Sequence, residues 1–224
     1  MATPMLFVPA AEAAFIGGVS PPQMNRLVDE ELVPRSLLAQ EGGARRFARL
    51  AAAFARFFFD TEAVLAAGAR KQVLAELTVR IEKLQARDQV FALRAMPKEL
   101  DWKVDHLGAG AVQVDVSSYV AEAMDRAKDV DAAEQLIVED PEVMSGLPCF
   151  AGTRVPIGNV LASLEKGIAK ERLVASYPFL TQAHFDAAEV YLKVHPRRGR
   201  PRRLRDTNPS AKPRVSRVAR PAKA

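Results

Sequence analysis

Gly146-Leu-Pro-Cys-Phe-Ala-Gly-Thr-Arg-Val-Pro-Ile157 places two glycines, two prolines and a Thr-Arg pair within twelve residues, then opens directly into an amphipathic helical pattern. Glycine admits backbone angles that other residues resist and proline fixes φ, so this density prescribes a fixed turn geometry and not a loose loop. The segment carries no nucleophile, ligand cluster or phosphate-binding pattern. It predicts an arm that sets up an interaction module, with Arg154 the polar residue expected to have a defined partner.

Three short helices are predicted after the arm. Pro156 stands at or just before the first, Leu161 and Leu164 line it, and Gly167 ends it. A short helix runs to Ala175, and Thr181 caps a last one that runs to Val194. Upstream, Leu136-Ile-Val138 reads as a short strand, so the arrangement is a β-like arm followed by a helix-turn-helix-like set.

The N-terminal 60 residues read as small helices around a turn-rich loop. Ala11–Ile16 is closed by Gly17-Gly18, and Ser20-Pro21-Pro22 is an N-cap with proline at the first helical positions. Met24, Leu27, Val28 and Leu32 follow at helical spacing until Pro34, Gln40–Ala44 looks like a hairpin tip, and Arg45-Arg46-Phe47 leads into a Phe-rich helix. From Thr61 to about Val90 one long helix is predicted. Its Leu74, Leu77, Ile81, Leu84 stripe fits either packing on its own domain or a seam with a second copy. Leu100, Trp102 and Val104, then Val112, Val114 and Val116, alternate with polar residues around Leu107–Gly110, the pattern of a hairpin with one buried face. Ser118 is read as the cap of a helix from about Tyr119 to Lys128.

The apolar fraction of 49% and charged fraction of 26% are ordinary for a globular chain. One cysteine excludes an intramolecular disulfide and fits a reducing cytoplasm. No apolar run is long enough to span a bilayer, and no Lys or Arg in the first twenty residues marks a signal peptide. The net charge of +5 is unevenly placed: residues 196–224 hold 11 Lys+Arg against Asp206, which is +10, leaving −5 for residues 1–195. A polyanion or acidic surface met through bulk electrostatics is met by the tail, whose composition predicts disorder when unbound.

The string Asp140-Pro141-Glu-Val-Met144, Gly146-x-Pro148-x-Phe150-x-Gly152-Thr153-Arg154-Val155-Pro156-Ile157, Gly167 and Tyr177-Pro178-x-Leu180-Thr181 resembles the bacterial family called domain of unknown function 433, over about residues 137–195. Ser145 and Cys149 depart from its usual Gly and Val or Ile without altering the turn logic. The resemblance implies a homodimer that belongs to a toxin–antitoxin pair, often beside a PIN-type ribonuclease. Glu12-Ala-Ala14, Gly18-Val-Ser20, Leu27 and Arg45-Arg46-Phe47 after Gly42-Gly43 resemble a MerR-type winged helix-turn-helix, as found on VapB-type antitoxins that carry this C-terminal domain. That resemblance implies operator DNA as partner. Ser20, Gln23, Asn25 and Arg26 lie near the helix N-terminus that enters a major groove, where Gln and Asn suit adenine and Arg suits guanine or phosphate. Arg45 and Arg46 on the wing suit phosphates, while a solvated surface is the plain alternative for all of these. Asp29, Glu30 and Glu31 oppose phosphate, so only the N-terminal turns are expected to enter.

In the tail, Arg198-Gly199-Arg200-Pro201 resembles an AT-hook core, and Arg197, Arg198, Arg200, Arg202 and Arg203 suit either a narrow A·T minor groove or the acidic, metal-holding pocket that PIN-type nucleases share. A solubilising tail without a target is the third reading. His106, His184, His195 and Cys149 show no metal-ligand spacing, and no catalytic motif appears, so neither enzyme activity, metal nor cofactor is expected. The expected chain is mainly α with small β elements. It comprises a winged helix-turn-helix (1–60), a central long helix, hairpin and connecting helix (61–136), a three-helix module (137–195) and a disordered Arg-rich tail (196–224). Its expected function is that of a cytoplasmic antitoxin without membrane attachment. The alternative is a stand-alone DNA-binding regulator with no toxin.

Overall fold

The computed structural model describes residues 6–106 and 112–196. It is mainly helical with small antiparallel sheets. Strand β1 (Phe7–Pro9) leads into α1 (Ala10–Gly17), a tight turn, and α2 (Pro21–Asp29). A single 3-10 turn at Arg35–Leu37 precedes β2 (Leu38–Glu41) and β3 (Ala44–Ala48), which pair antiparallel with β1 on the far edge of β3. Glu41 faces Ala44 across Gly42 and Gly43, whose φ values of 55° and 80° make the two-residue turn that matches strand twist. Helix α3 (Arg49–Asp60) runs directly on, and its Ala51, Ala52, Ala53 and Ala55 let neighbouring helices approach closely while Phe54 and Phe57 fill the centre.

The single long helix expected from Thr61 to Val90 is two helices, α4 (Ala67–Glu82) and α5 (Arg87–Phe91). Thr61 turns the chain back at the end of α3, its hydroxyl donating to Phe57 O at 2.7 Å, so that α4 folds against α3. Leu74, Leu77 and Ile81 are then fully buried inside this chain, and the leucine stripe is an internal contact, unavailable as a seam between copies.

Strands β4 (Lys103–His106) and β5 (Val112–Asp115) form the expected hairpin, with Val104 paired to Val114 and both buried. Helix α6 spans Ser117–Leu136, two turns beyond its expected end, and is the longest described helix. Val120, Ala123, Ala127 and Val130 belong to a first core shared with α1, α3 and α4, whereas Ala133 belongs to a second core around Phe150, Ile157, Leu180 and Phe185. Helix α6 thus serves both hydrophobic clusters.

The second core is closed by the arm. β6 (Ile137–Val138) pairs with β7 (Cys149–Phe150), followed by α7 (Ile157–Glu165), α8 (Lys170–Ser176) and α9 (Gln182–Val194). Gly152 takes a φ of 72°, and Thr153 locks the turn by donating from its hydroxyl to Phe150 O at 2.9 Å and accepting from Val155 N at 3.2 Å. Arg154 is exposed and has no hydrogen bond or ion pair among the described residues. The C-terminal end of α9 returns to the first core, where Val194 is buried against the N-terminal unit.

Candidate nucleic-acid interface

The turn between α1 and α2 is built by contact, not by sequence alone. Gly18 has φ 62° and caps α1, while a Cβ on Gly17 would stand 2.5 Å from Ala52 O. Arg56 of α3 donates to Gly18 O at 3.0 Å, and Arg126 of α6 donates to Ile16 O at 2.7 Å. Deeper in, Arg49 on α3 binds Glu12 on α1 and Asp131 on α6. Burial pushes the Glu12 carboxyl up despite the neighbouring guanidinium. Sequence patterns do not reveal these clamps. The one signal for them is charge within apolar runs: Glu12 among alanines, Arg49 and Arg56 among Ala and Phe.

Helix α2 is seated by Met24 and Leu27, both fully buried, which leaves its other sides outward. Ser20 and Gln23 form a reciprocal capping box. Gln23 Oε1 accepts from Ser20 N at 2.8 Å and Oγ at 2.9 Å, and Ser20 Oγ accepts from Gln23 N at 3.4 Å. The Gln23 carbonyl oxygen is therefore engaged in the cap, leaving its amide nitrogen for an outside acceptor.

The other side chains expected at DNA separate. Arg26 turns to one side, bonded to Glu30 at 2.6 and 3.2 Å and lying 5.1 Å over the Phe59 ring. Asn25 faces the opposite side beside Arg45, which donates to Asn25 O at 3.3 Å and to Asp29 Oδ1 at 2.5 Å. Arg46, on the hairpin, lies 3.0 Å from Glu41. The bonds from Arg45 and Arg26 hold Asp29 and Glu30 below the usual carboxylate range, and Arg35 does the same to Glu31. Each expected phosphate-binding arginine is thus matched to an acid, so the local field of this surface is close to neutral.

Asn25 and Arg45 also line a cleft of about 1160 Å³ between the N-terminal unit and the C-terminal module, where Pro148, Asn159, Tyr191, His195 and Pro196 form the facing wall. Tyr191 donates to Glu139 Oε1 at 3.1 Å, and burial followed by that carboxylate pushes its phenol far up. The tail residues Arg197, Arg198, Arg200, Arg202 and Arg203 lie outside the described residues. His184 closes a cap with Thr181 and packs on Phe150 and Phe179. Cys149 is buried, which raises its thiol pKa and leaves it a small apolar filler. Among the described residues no group of three or more His, Cys, Asp or Glu is placed to hold a metal, and no helix is long and apolar enough to cross a membrane.

Residues 137–191 match the family described as "Protein of unknown function (DUF433)", which covers the arm and the three helices. No solved structure matches the chain. The uncharacterized protein y4eO of Sinorhizobium fredii (strain NBRC 101917 / NGR234) is 31% identical over 194 residues, 86% of this chain and 83% of that protein. With likeness running through both cores, this chain belongs to the same family as y4eO, and its C-terminal module carries the DUF433 match.

Proposed function

We propose that this protein is a cytoplasmic, homodimeric antitoxin that represses its own operon through its N-terminal unit and silences a PIN-type ribonuclease through its C-terminal module. The observation that carries the DNA half is the α1–turn–α2 unit followed by the β2–β3 hairpin: α2 is capped at Ser20, seated by Met24 and Leu27, and flanked by hairpin arginines. This arrangement supports the MerR-type winged helix-turn-helix resemblance and a docking in which the N-terminal turns of α2 enter the major groove. Asn25 is the strongest candidate base reader, because Gln23 is half occupied by the cap and Arg26 by Glu30. The toxin half rests on the resemblance of the arm and α7–α9 to a domain found in such pairs.

The test has two arms. Footprinting of the full chain on the duplex directly upstream of its gene is expected to show protection that Asn25→Ala abolishes. Co-expression with an adjacent ribonuclease-like gene is expected to relieve growth arrest. A stand-alone DNA-binding regulator is the second reading, favoured by one observation: Pro196, where the basic tail begins, lies in the same cleft as Asn25 and Arg45. Protection without relief of arrest selects that reading.

A further inference from the structure

Among the described residues two arginines are buried, Arg49 and Arg70. Arg49 is held by Glu12 and Asp131. Arg70, on α4, is 6% exposed and has no carboxylate within ion-pair distance among the described residues. Its Nη1 donates to Phe58 O, its guanidinium carbon lies 4.1 Å from the centre of the Phe58 ring, and its Nε is buried without a hydrogen-bond partner. A buried charge without a counter-ion is costly, and one carbonyl with one ring offsets that only in part.

Arg70 lines a pocket of about 220 Å³ where the ends of α2 and α3 meet the start of α4. The charged residues of its lining are Arg26, Arg70 and Lys71 against Glu30 and Glu62. Glu30 is taken by Arg26 at 2.6 Å. Lys71 Nζ donates to Glu30 O at 2.9 Å, which uses only part of its donor capacity. Ala67, the first residue of α4, also lines the pocket. No side chain caps this helix, and the N–H groups of Ala67, Gly68 and Ala69 have no acceptor among the described residues. A Cβ on Gly68 would meet nothing within 4 Å, so that end of the helix is open. A helix N-terminus carries about half a positive charge and presents its free N–H groups to anions.

We propose that this pocket binds a phosphate group, with Arg70 as the buried counter-charge and Lys71 and the start of α4 as further donors. The pocket is smaller than the roughly 300–1,000 Å³ of sites for drug-sized ligands, which suits a phosphate or a small phosphate monoester. A guanidinium, an ammonium and backbone N–H groups together suit the several oxygens of a tetrahedral phosphate better than a planar carboxylate, which one guanidinium satisfies. The site is on the Arg26 side of α2 and does not require α2 to read DNA.

The experiment is isothermal titration calorimetry of the full chain with inorganic phosphate, at an ionic strength held constant with chloride. Saturable binding is expected. Arg70→Met is expected to weaken it by about 30-fold or more, because a buried counter-charge is lost. Two variants outside both hydrophobic cores keep the test independent of folding. Lys71→Gln is expected to weaken phosphate binding about 3-fold, and Glu62→Gln, which removes a repelling charge, to strengthen it about 3-fold. Repeating the titration with saturating duplex DNA from directly upstream of the gene assigns the source. Loss of phosphate binding makes a duplex backbone phosphate the occupant, retention makes it a free phosphate or phosphate monoester, and both uphold the site. The absence of saturable binding overturns the proposal. So does acetate that binds as tightly as phosphate, or an affinity that neither Lys71→Gln nor Glu62→Gln changes.

Discussion

Arg49 donates from both Nε and Nη2 to the same oxygen of Glu12, at 3.0 and 2.8 Å, in an environment where both residues are almost fully buried. Its remaining nitrogen reaches Asp131 at 2.7 Å, so one guanidinium ties the first helix of the N-terminal unit to α3 and to α6, which contributes to both cores. Removing one partner strands a buried charge. Glu12→Ala is expected to destabilise by about 3 kcal/mol, the low end for such pairs because Asp131 remains. Adding Arg49→Met should recover part of that loss, as read by a urea double-mutant cycle.

The same pair sets a pH dependence. Burial raises the folded-state pKa of Glu12, so over the interval above its unfolded value the folded state holds more protons than the unfolded state. This group's contribution is fully present below the unfolded pKa and is lost as pH rises through the folded one. Glu12→Gln is expected to remove that descending component from urea midpoints followed upward from about pH 4.

The two glycines of the turn should differ in the opposite order from their backbone angles. Gly18 has φ 62°, yet no atom lies closer than 3.6 Å to a Cβ built there, and Gly18→Ala should cost about 1 kcal/mol. Gly17 has an ordinary φ, but Ala52 O stands 2.5 Å from its Cβ position. Gly17→Ala should cost about 2 kcal/mol or more, because helix backbone must move. Thermal unfolding of the two variants checks the ranking.

The capping box at α2 predicts that Ser20→Ala loses about 1 kcal/mol while Ser20→Asp, which caps equally well, keeps most of it. Circular dichroism melts of the DNA-free protein separate this structural role from any contact with a base.

Tyr191 offers an alkaline counterpart. Its hydrogen bond to Glu139 and its burial favour the neutral phenol in the folded state. Wild type is therefore expected to lose stability as pH rises past about 10, where only the unfolded state ionises. Tyr191→Phe, about 1 kcal/mol less stable at neutral pH, lacks that loss, and the gap between the two should close as pH climbs.

Local features are legible in the chain because their causes are local. Ser20-Pro21-Pro22 sets the start of α2, Gly42-Gly43 the hairpin, and alternation about Val104 and Val114 the second hairpin. The turn string from Gly146 to Ile157 likewise predicts the arm and the helix after it. The break between α4 and α5 is not legible, since residues 61–90 carry helical periodicity nearly throughout, and the interruption goes with the packing of α5 back against α3 and α4.

At the candidate interface, residue types and spacing by themselves determined which side chains suit DNA. Only the tertiary structure decided which of them are already engaged: Gln23 by the cap, Arg26 by Glu30 and Arg45 by Asp29. It also brought Pro196 to the cleft that Asn25 lines, and closed a buried charge cluster from Glu12, Arg49 and Asp131. Helix caps and tight turns depend on neighbours within a few residues, so sequence states them. An ion pair spanning 37 or 82 residues depends on how whole helices pack, and that depends on both cores at once.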